Sequence, residues 1–419
     1  MLHRLFAGVL FFCLAWPGIG RAASSLSIGI AKEDMTPAVG TPLAGYGAYY
    51  GRPSRGVHDP LYARALALTR GDTTFVFVSC DLIGIDAYLR RAVLQKIRTH
   101  QPMREEALIL VATHTHTGAG ALGKRFWQRF IMGTFDPRVF HEVTDSIATA
   151  ALTAIHHPVV VTAALGQTRI DALIENRMDA RLRLPHALKV LQFQAPGGRI
   201  VGRLLFMAAH PTLAPWRRLE FSADYPGVVT RALEQHDPGS VTVFVNGAAG
   251  DLQPPPPPGA AQPDWGAAYG EAVANAVQHL AVSAVALEGP WHGVIDTIPL
   301  PRVHIRLGWV HVPSWLGNWI LPRRAAVQAV RLGALLFLAF PGELGSETGQ
   351  EIEWLAMSQG FTPFLVGYAN DYIAYVIPRR YYFDCKLYEA RVSFYGPNID
   401  RFVQYQASQL MQRLVTHTR

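Results

Sequence analysis

Cysteine is scarce in this chain, with three in 419 residues. One of them, Cys13, lies in an N-terminal stretch expected to be removed, which leaves Cys80 and Cys385. That excludes a disulfide-built scaffold and a cysteine-rich zinc module, although two cysteines could still form one bridge in an oxidising compartment. Charged side chains make up only 16% of the residues, and no Lys/Arg run breaks the pattern. A nucleic-acid partner is therefore not expected. Beyond the first 23 residues no run of 18 uncharged apolar residues occurs, so no later segment reads as a membrane span. The Gly-x-Ser-x-Gly elbow, the P-loop and the dinucleotide fingerprint are all missing, which argues against a serine hydrolase and against a nucleotide cofactor.

What is present is apolar mass: half the residues are hydrophobic and 11% aromatic, enough for one large core or two ordinary ones. The formal net charge of +7 becomes +5 without Arg4 and Arg21. Residues 1–23 read as a secretory signal: His3 and Arg4, an apolar stretch from Leu5 to Trp16, then Gly20-Arg21-Ala22 as a small-x-small cleavage site. A membrane anchor is the alternative, but the apolar run is shorter than the ~20 residues a span requires. Phe-Phe before Cys13 argues against a lipoprotein cleavage box. The expected product is an exported protein of residues 24–419.

Five apolar runs end in polar, chemically able residues. Thr73–Cys80 leads to Asp81, and Ala107–Ala112 leads to His114 and His116. Ile200–Ala209 ends at His210, Val241–Val245 at Asn246 and then Asp251, and Ala334–Phe340 at Glu343. Strands are also expected at Ser27–Ile30 and from His58 to Leu68. Helical spacing marks Tyr88–His100, Arg138–Ile155, Val228–Glu234, Ala267–Val282, Ser346–Ser358 and Asp400–Val415. Polar residues gathered at the C-terminal ends of buried strands are the pattern of an α/β enzyme. The fold class expected is α/β: one large catalytic domain with mixed β-sheets flanked by helices and the site at the carboxyl ends of the strands. Pro254–Pro258 predicts an exposed loop, and no internal repeat is visible.

The spacing i, i+2 of His114 and His116 would put both imidazoles on one face if the strand continued through them. Alone, such a pair is as often hydrogen-bonded scaffolding as a metal site. His210 and Glu343 after further strands strengthen the metal reading, since Zn²⁺ accepts imidazole and carboxylate and a catalytic site keeps one position for water. Glu343 could equally serve the start of the helix that follows Pro341-Gly342.

The ordered pieces Asp34-Met-Thr-Pro37, Leu43-Ala-Gly-Tyr-Gly47, Thr113-His-Thr-His-Thr-Gly118, Glu175-Asn-Arg177 and Ala209-His-Pro211 resemble the neutral/alkaline non-lysosomal ceramidase family. The resemblance continues through Ser222-Ala-Asp-Tyr-Pro-Gly227, Asn246-Gly-Ala-Ala-Gly-Asp-Leu252, Pro341-Gly-Glu343, the tyrosine-rich Gly367–Tyr388 and Tyr395-Gly-Pro397. It implies a single zinc ion held by His114, His210, Glu343 and Tyr375. Around the scissile group it implies His116, Arg177 and Tyr388, with Asp251 and Gln253 counted among the catalytic candidates. His116 would donate a hydrogen bond to the carbonyl or developing oxyanion. The expected reaction is hydrolysis of the N-acyl amide of ceramide or a related N-acyl lipid, by metal-activated water, to a fatty acid and an amine.

Two departures stand out. Gln253 occupies the position of a serine in the family's Gly-Asp-x-Ser-Pro stretch, and the spacing from Tyr375 to Tyr388 is one residue longer. The residues beyond Asp400–Val415 are also too few for the family's immunoglobulin-like C-terminal domain, so the catalytic domain alone is expected. The same zinc site acting on another amide or ester, or a metal-containing binding protein without turnover, are the competing readings. Phe126–Met132 and the stretch Trp309–Trp319 with Arg323 and Arg324 read as an apolar, membrane-facing mouth or as ordinary packing.

Overall fold

The computed structural model describes residues 25–46, 52–182, 184–256, 265–307 and 310–416. Twelve principal strands fall into three sheets of four. The first sheet comprises β1 (Leu26–Asp34), β2 (Tyr62–Arg70), β3 (Thr73–Cys80) and β4 (Leu108–Ala112). The second comprises β5 (Thr162–Arg169), β6 (Ala187–Gln194), β7 (Ile200–Met207) and β8 (Val241–Asn246). The third comprises β9 (Trp291–Pro299), β10 (Arg324–Leu332), β11 (Leu335–Ala339) and β12 (Thr362–Val366). Within each sheet three successive strands run antiparallel and the fourth lies parallel to the third. A parallel neighbour demands a crossover. Helices α1 (Ala87–Arg98), α3 (Asp224–His236) and α5 (Ser346–Ser358) provide the three crossovers. A second helix follows each fourth strand: α2 (Pro137–His156), α4 (Trp265–Gln278) and α6 (Ile399–Thr416). The short strands Val159–Val160 and Val282–Ala284 extend the first two sheets.

The unit β-β-β-α-β-α thus occurs three times, although the sequence shows no repeat. The repetition lies in which positions are apolar, and many sequences satisfy that pattern. On β3, Phe75 and Phe77 enter a core shared by all three sheets, while Val76 and Val78 pack beneath α1 and α2. The same alternation puts Phe206 of β7 and Phe337 of β11 into the shared core, with Leu205 and Leu336 turned to their own helices. Covered on both faces, these strands read as continuous apolar runs rather than alternating ones. Phe77, Phe206 and Phe337 meet at the centre, with ring centroids 5.0 Å apart for Phe77–Phe337 and 5.9 Å for Phe206–Phe337. The equivalent parallel pairs β3/β4, β7/β8 and β11/β12 therefore aim their carboxyl ends at a common region.

Several boundaries differ from the sequence expectation. The first strand runs on to Asp34. Helix α4 stops at Gln278, and Val282 belongs to a strand. Pro254 is buried, which corrects part of the expected exposed loop; Pro256 is exposed, and Pro257 onward to 264 lies outside the described residues. Cys80 is buried in β3 and Cys385 exposed, both as free thiols.

Candidate metal centre

The strand that leads to the histidine pair ends at Ala112, before either histidine. His114 takes a left-handed backbone, φ 73°, so strand pleating does not bring the two imidazoles together. The turn does. Its conformation, which costs an L-residue roughly 1–2 kcal/mol, is pinned by Thr113 N–H to the carbonyl of Cys80 and His114 N–H to that of Leu82, both 2.9 Å. The His114 and His116 rings stand perpendicular, with Nε2 atoms 3.3 Å apart.

His210 follows β7, and its Nε2 lies 3.2 Å from that of His114. Glu343 follows β11 and places Oε2 3.3 Å from His114 Nε2 and 3.5 Å from His210 Nε2. It precedes α5, whose N-cap position is Gly345, so its carboxylate is turned to the histidines rather than spent on the helix. Tyr375 sits opposite Glu343 in a two-strand parallel pairing, Glu343–Leu344 with Tyr375–Val376, and its hydroxyl is 3.4 Å from His210 Nε2. Four groups from the second and third units and the end of β4 thereby converge, all of them buried.

Hydrogen bonding fixes the tautomers. His114 Nδ1 faces the Ile83 carbonyl at 2.5 Å and His210 Nδ1 the Ala249 carbonyl at 3.1 Å. A carbonyl can only accept, so each Nδ1 carries the proton and each Nε2 of the neutral ring offers a lone pair. With both rings neutral, two lone pairs 3.2 Å apart face a carboxylate oxygen that has no hydrogen-bond partner, an arrangement that a shared proton or a bound cation relieves. The other carboxylate oxygen, Oε1, accepts from the Tyr372 hydroxyl. This donor set fits a zinc-type ion.

His116 is different. The Tyr46 backbone N–H donates to its Nδ1 at 3.2 Å, so the neutral ring keeps its proton on Nε2 and points a donor at the centre. Ring nitrogens of His114, His116 and His210 lie within 4.8 Å of one another, yet this tautomer suits His116 to hydrogen bonding rather than ligation. Burial above all, with the guanidinium groups of Arg177 and Arg52, pushes it well below 6.5 and keeps it neutral. Gly45, at φ +106°, makes room: a Cβ there would lie 2.7 Å from His116 Cα.

Arg177 donates to the Tyr375 hydroxyl at 2.9 Å and to the Gly250 carbonyl at 2.8 Å, and pairs with Glu389 at 2.6 Å. Tyr388 is half exposed, its ring 5.8 Å from that of Tyr375. Asp251 does not reach the histidines; it accepts from Ser346 N–H and Oγ at 2.7 and 2.8 Å and from Asn176 at 2.7 Å, bracing the start of α5. Gln253 donates its amide to Glu175 at 2.6 Å. Asp81 accepts from the Tyr62 N–H and pairs with Arg64; burial raises it to about 6.

Sequence reasoning passed over three contributors. The Tyr372 hydroxyl donates to Glu343 Oε1, Tyr368 stacks on His114 with centroids 4.1 Å apart, and Glu389 holds Arg177 in place by an ion pair. Both tyrosines lie in the tyrosine-rich segment, which was a usable signal; Glu389 had none. A small apolar cavity of about 60 Å³ adjoins the centre, lined by Ile83, Leu122, Trp127, Ile131, Met132 and Tyr372 among others. Two of these, Ile83 and Tyr372, touch the cluster itself.

Residues 26–256 match the family described as neutral/alkaline non-lysosomal ceramidase, N-terminal. The chain is similar to the neutral ceramidase of Pseudomonas aeruginosa, 24% identical over 246 residues, which are 54% of this chain and 36% of that protein. The match thus spans about a third of the relative's length. The crystal structure of neutral ceramidase from Pseudomonas aeruginosa superposes with a TM-score of 0.81 at 20% identity, covering 92% of this chain and 73% of that one. A ceramidase complexed with C2 gives 0.82 at 20% identity, covering 93% and 76%. At that identity the structural likeness speaks for the α/β fold, and the match over more than half the sequence speaks for descent. The chain belongs to the neutral/alkaline non-lysosomal ceramidase family.

Proposed function

We propose that this chain is an exported, zinc-dependent amidohydrolase that cleaves the N-acyl amide bond of ceramide or a related N-acyl lipid to a fatty acid and an amine. The observation that carries the reading is the convergence of the Nε2 atoms of His114 and His210, 3.2 Å apart, on the unpartnered Oε2 of Glu343, a donor set completed by Tyr375. A bound ion supplies Lewis acidity there, drawing the pKa of water towards ~7 and polarising a carbonyl. His116 Nε2–H donates to the substrate carbonyl oxygen and holds the negative charge that grows on it. Arg177 fixes the Tyr375 hydroxyl and keeps a positive charge beside the reacting group. Tyr388, at the exposed rim, contacts substrate as it enters. The acyl chain packs against the apolar cavity and runs on past the partly buried Trp127–Met132 segment, since about 60 Å³ holds only a few methylenes. Phe126, 62% exposed, with Trp315 and Trp319 supplies peripheral membrane contact; Trp309 lies outside the described residues. Export rests on residues 1–23, which also lie outside them.

Metal analysis together with turnover tests this. Chelation abolishes hydrolysis and zinc restores it, and both His114→Ala and Glu343→Ala lose bound metal along with rate. Full activity of a folded, metal-free His114→Ala protein would sink the mechanism. A second reading, the same centre acting on a different amide or ester, is favoured by Gln253, which ties its amide to Glu175 where the family has a serine. A panel of N-acyl sphingoid bases, N-acyl amino acids and esters separates the two: turnover of another class with ceramide untouched selects the second.

A further inference from the structure

A cleft of about 820 Å³ lies outside the metal centre. Its walls carry six arginines, Arg90, Arg91, Arg98, Arg125, Arg323 and Arg324, against two carboxylates, Glu105 and Asp371. The carboxylates do not balance them. Glu105 is taken by Arg90 at 2.7 Å, and Asp371 accepts from the backbone N–H groups of Tyr372 and Ala87. Among the described residues none of the other five arginines has a carboxylate within ion-pair distance; Arg98 and Arg324 reach only backbone carbonyls. All five are exposed. They come from α1, from the segment before Phe126 and from the start of β10, so the fold gathers them from three separate places.

Beside the arginines stands exposed aromatic surface. The helix Ser314–Ile320 forms one side of the cleft, and Trp315 and Trp319, 75% and 76% exposed, are spaced i, i+4 on one face of it. Phe126 adjoins Arg125. A single wall, moreover, separates this cleft from the apolar cavity at the metal centre. Asp86, Trp127 and Tyr372 line the cavity, while Ala87, Arg125 and Asp371, one or two positions from them in the chain, line the cleft.

We propose that this cleft receives the phosphate headgroups of an anionic phospholipid bilayer, with Trp315 and Trp319 seated in the interface. A soluble polyanion would account for the arginines but leaves two exposed tryptophans without a role, whereas tryptophan beside arginine is the chemistry of a bilayer surface. No helix of the described residues is long and apolar enough to cross a membrane, so attachment here is peripheral. Docking in this way holds the cavity side of the shared wall close to the lipid, where an N-acyl substrate resides. The inference deepens the lipid-hydrolase reading, and vesicle binding can be measured without turnover.

The test is co-sedimentation of the full chain with vesicles of phosphatidylcholine alone or with about 30% phosphatidylglycerol. The wild-type protein should pellet with the anionic vesicles and release as salt rises. At about fivefold per arginine near a charged surface, Arg323→Ser/Arg324→Ser should weaken that partitioning roughly thirtyfold, and Arg91→Ser about fivefold. Trp315→Ser/Trp319→Ser should weaken binding to both vesicle types. Hydrolysis in a non-ionic detergent should be unchanged in the Arg323/Arg324 variant. Equal binding of wild type to both vesicle types, or undiminished anionic binding by the Arg323/Arg324 variant, overturns the proposal. So does binding of glycerol phosphate by calorimetry without any vesicle binding, which would assign the cleft to a soluble anion. A chain that pellets with anionic vesicles yet hydrolyses nothing refutes the catalytic reading and leaves this one standing.

Discussion

Asn246 ties the two buried histidine segments together, and replacing it tests whether the centre depends on that tie. The residue ends β8, is fully buried, and touches neither substrate space nor metal position directly. Its Nδ2 donates to the carbonyls of Thr113, at 3.3 Å, and Ala209, at 3.1 Å, and its Oδ1 accepts from Ala209 N–H at 3.3 Å. Thr113 and Ala209 immediately precede His114 and His210. Asn246→Ala strands the Thr113 carbonyl and the Ala209 N–H, whereas the Ala209 carbonyl keeps the Tyr225 hydroxyl at 2.6 Å. Two buried backbone groups left without partners cost about 1–3 kcal/mol each. The long bonds here favour the lower half of that range, so the variant should lose about 2–4 kcal/mol in urea unfolding at unchanged m-value. With both histidine segments loosened, zinc affinity by competition with a chromophoric chelator should fall roughly 10–100-fold, the effect of losing an outer support. Asn246→Asp keeps one acceptor but turns a carboxylate towards two carbonyl oxygens, and should be worse on both measures. An Asn246→Ala protein within about 0.5 kcal/mol of wild type and with unaltered zinc affinity would refute the argument.

Further predictions concern His116 and the common core. Gly45→Ala drives a methyl group against His116 and strains a positive φ; the rate should drop at least tenfold while zinc content stays at the wild-type level, and an unchanged rate would remove His116 from the reacting group. His116 is held well below its unfolded value of 6.5, so only the unfolded chain takes up its proton as pH falls through 6.5, and folding stability declines on the acid side. Between pH 7.5 and 5.5 wild type should therefore lose about 1.4 kcal/mol more than His116→Gln, read from paired urea titrations; parallel losses would show that the histidine titrates normally. Phe337→Ala removes the ring that contacts Phe77, Phe206 and Phe364 and should cost about 3–5 kcal/mol. A loss below about 1 kcal/mol would mean that the three sheets do not depend on this junction.

Local chemistry was legible in the residues. Strands buried on both faces announced themselves as apolar runs, helix α5 was bounded at Ser346 and Ser358, and the polar residues at the strand ends marked where a site belongs. Those features depend on neighbours within a few positions, which a sequence exposes directly. The threefold β-β-β-α-β-α arrangement escaped it, because the repeat is carried by burial and sheet order and not by residue identity. The division of labour between the two neighbouring histidines was implied by the family resemblance, but its physical reason lies in the tertiary structure. His114 meets the Ile83 carbonyl and His116 the Tyr46 N–H, and those partners, distant in the chain, decide which nitrogen keeps its proton. The arginine cleft is likewise a tertiary product. Arg91, Arg125 and Arg323 lie far apart in the sequence, where each is an ordinary surface charge. Folding alone sets them on one wall, because electrostatic and coordination geometry depend on distance in space while sequence patterns report only distance along the chain.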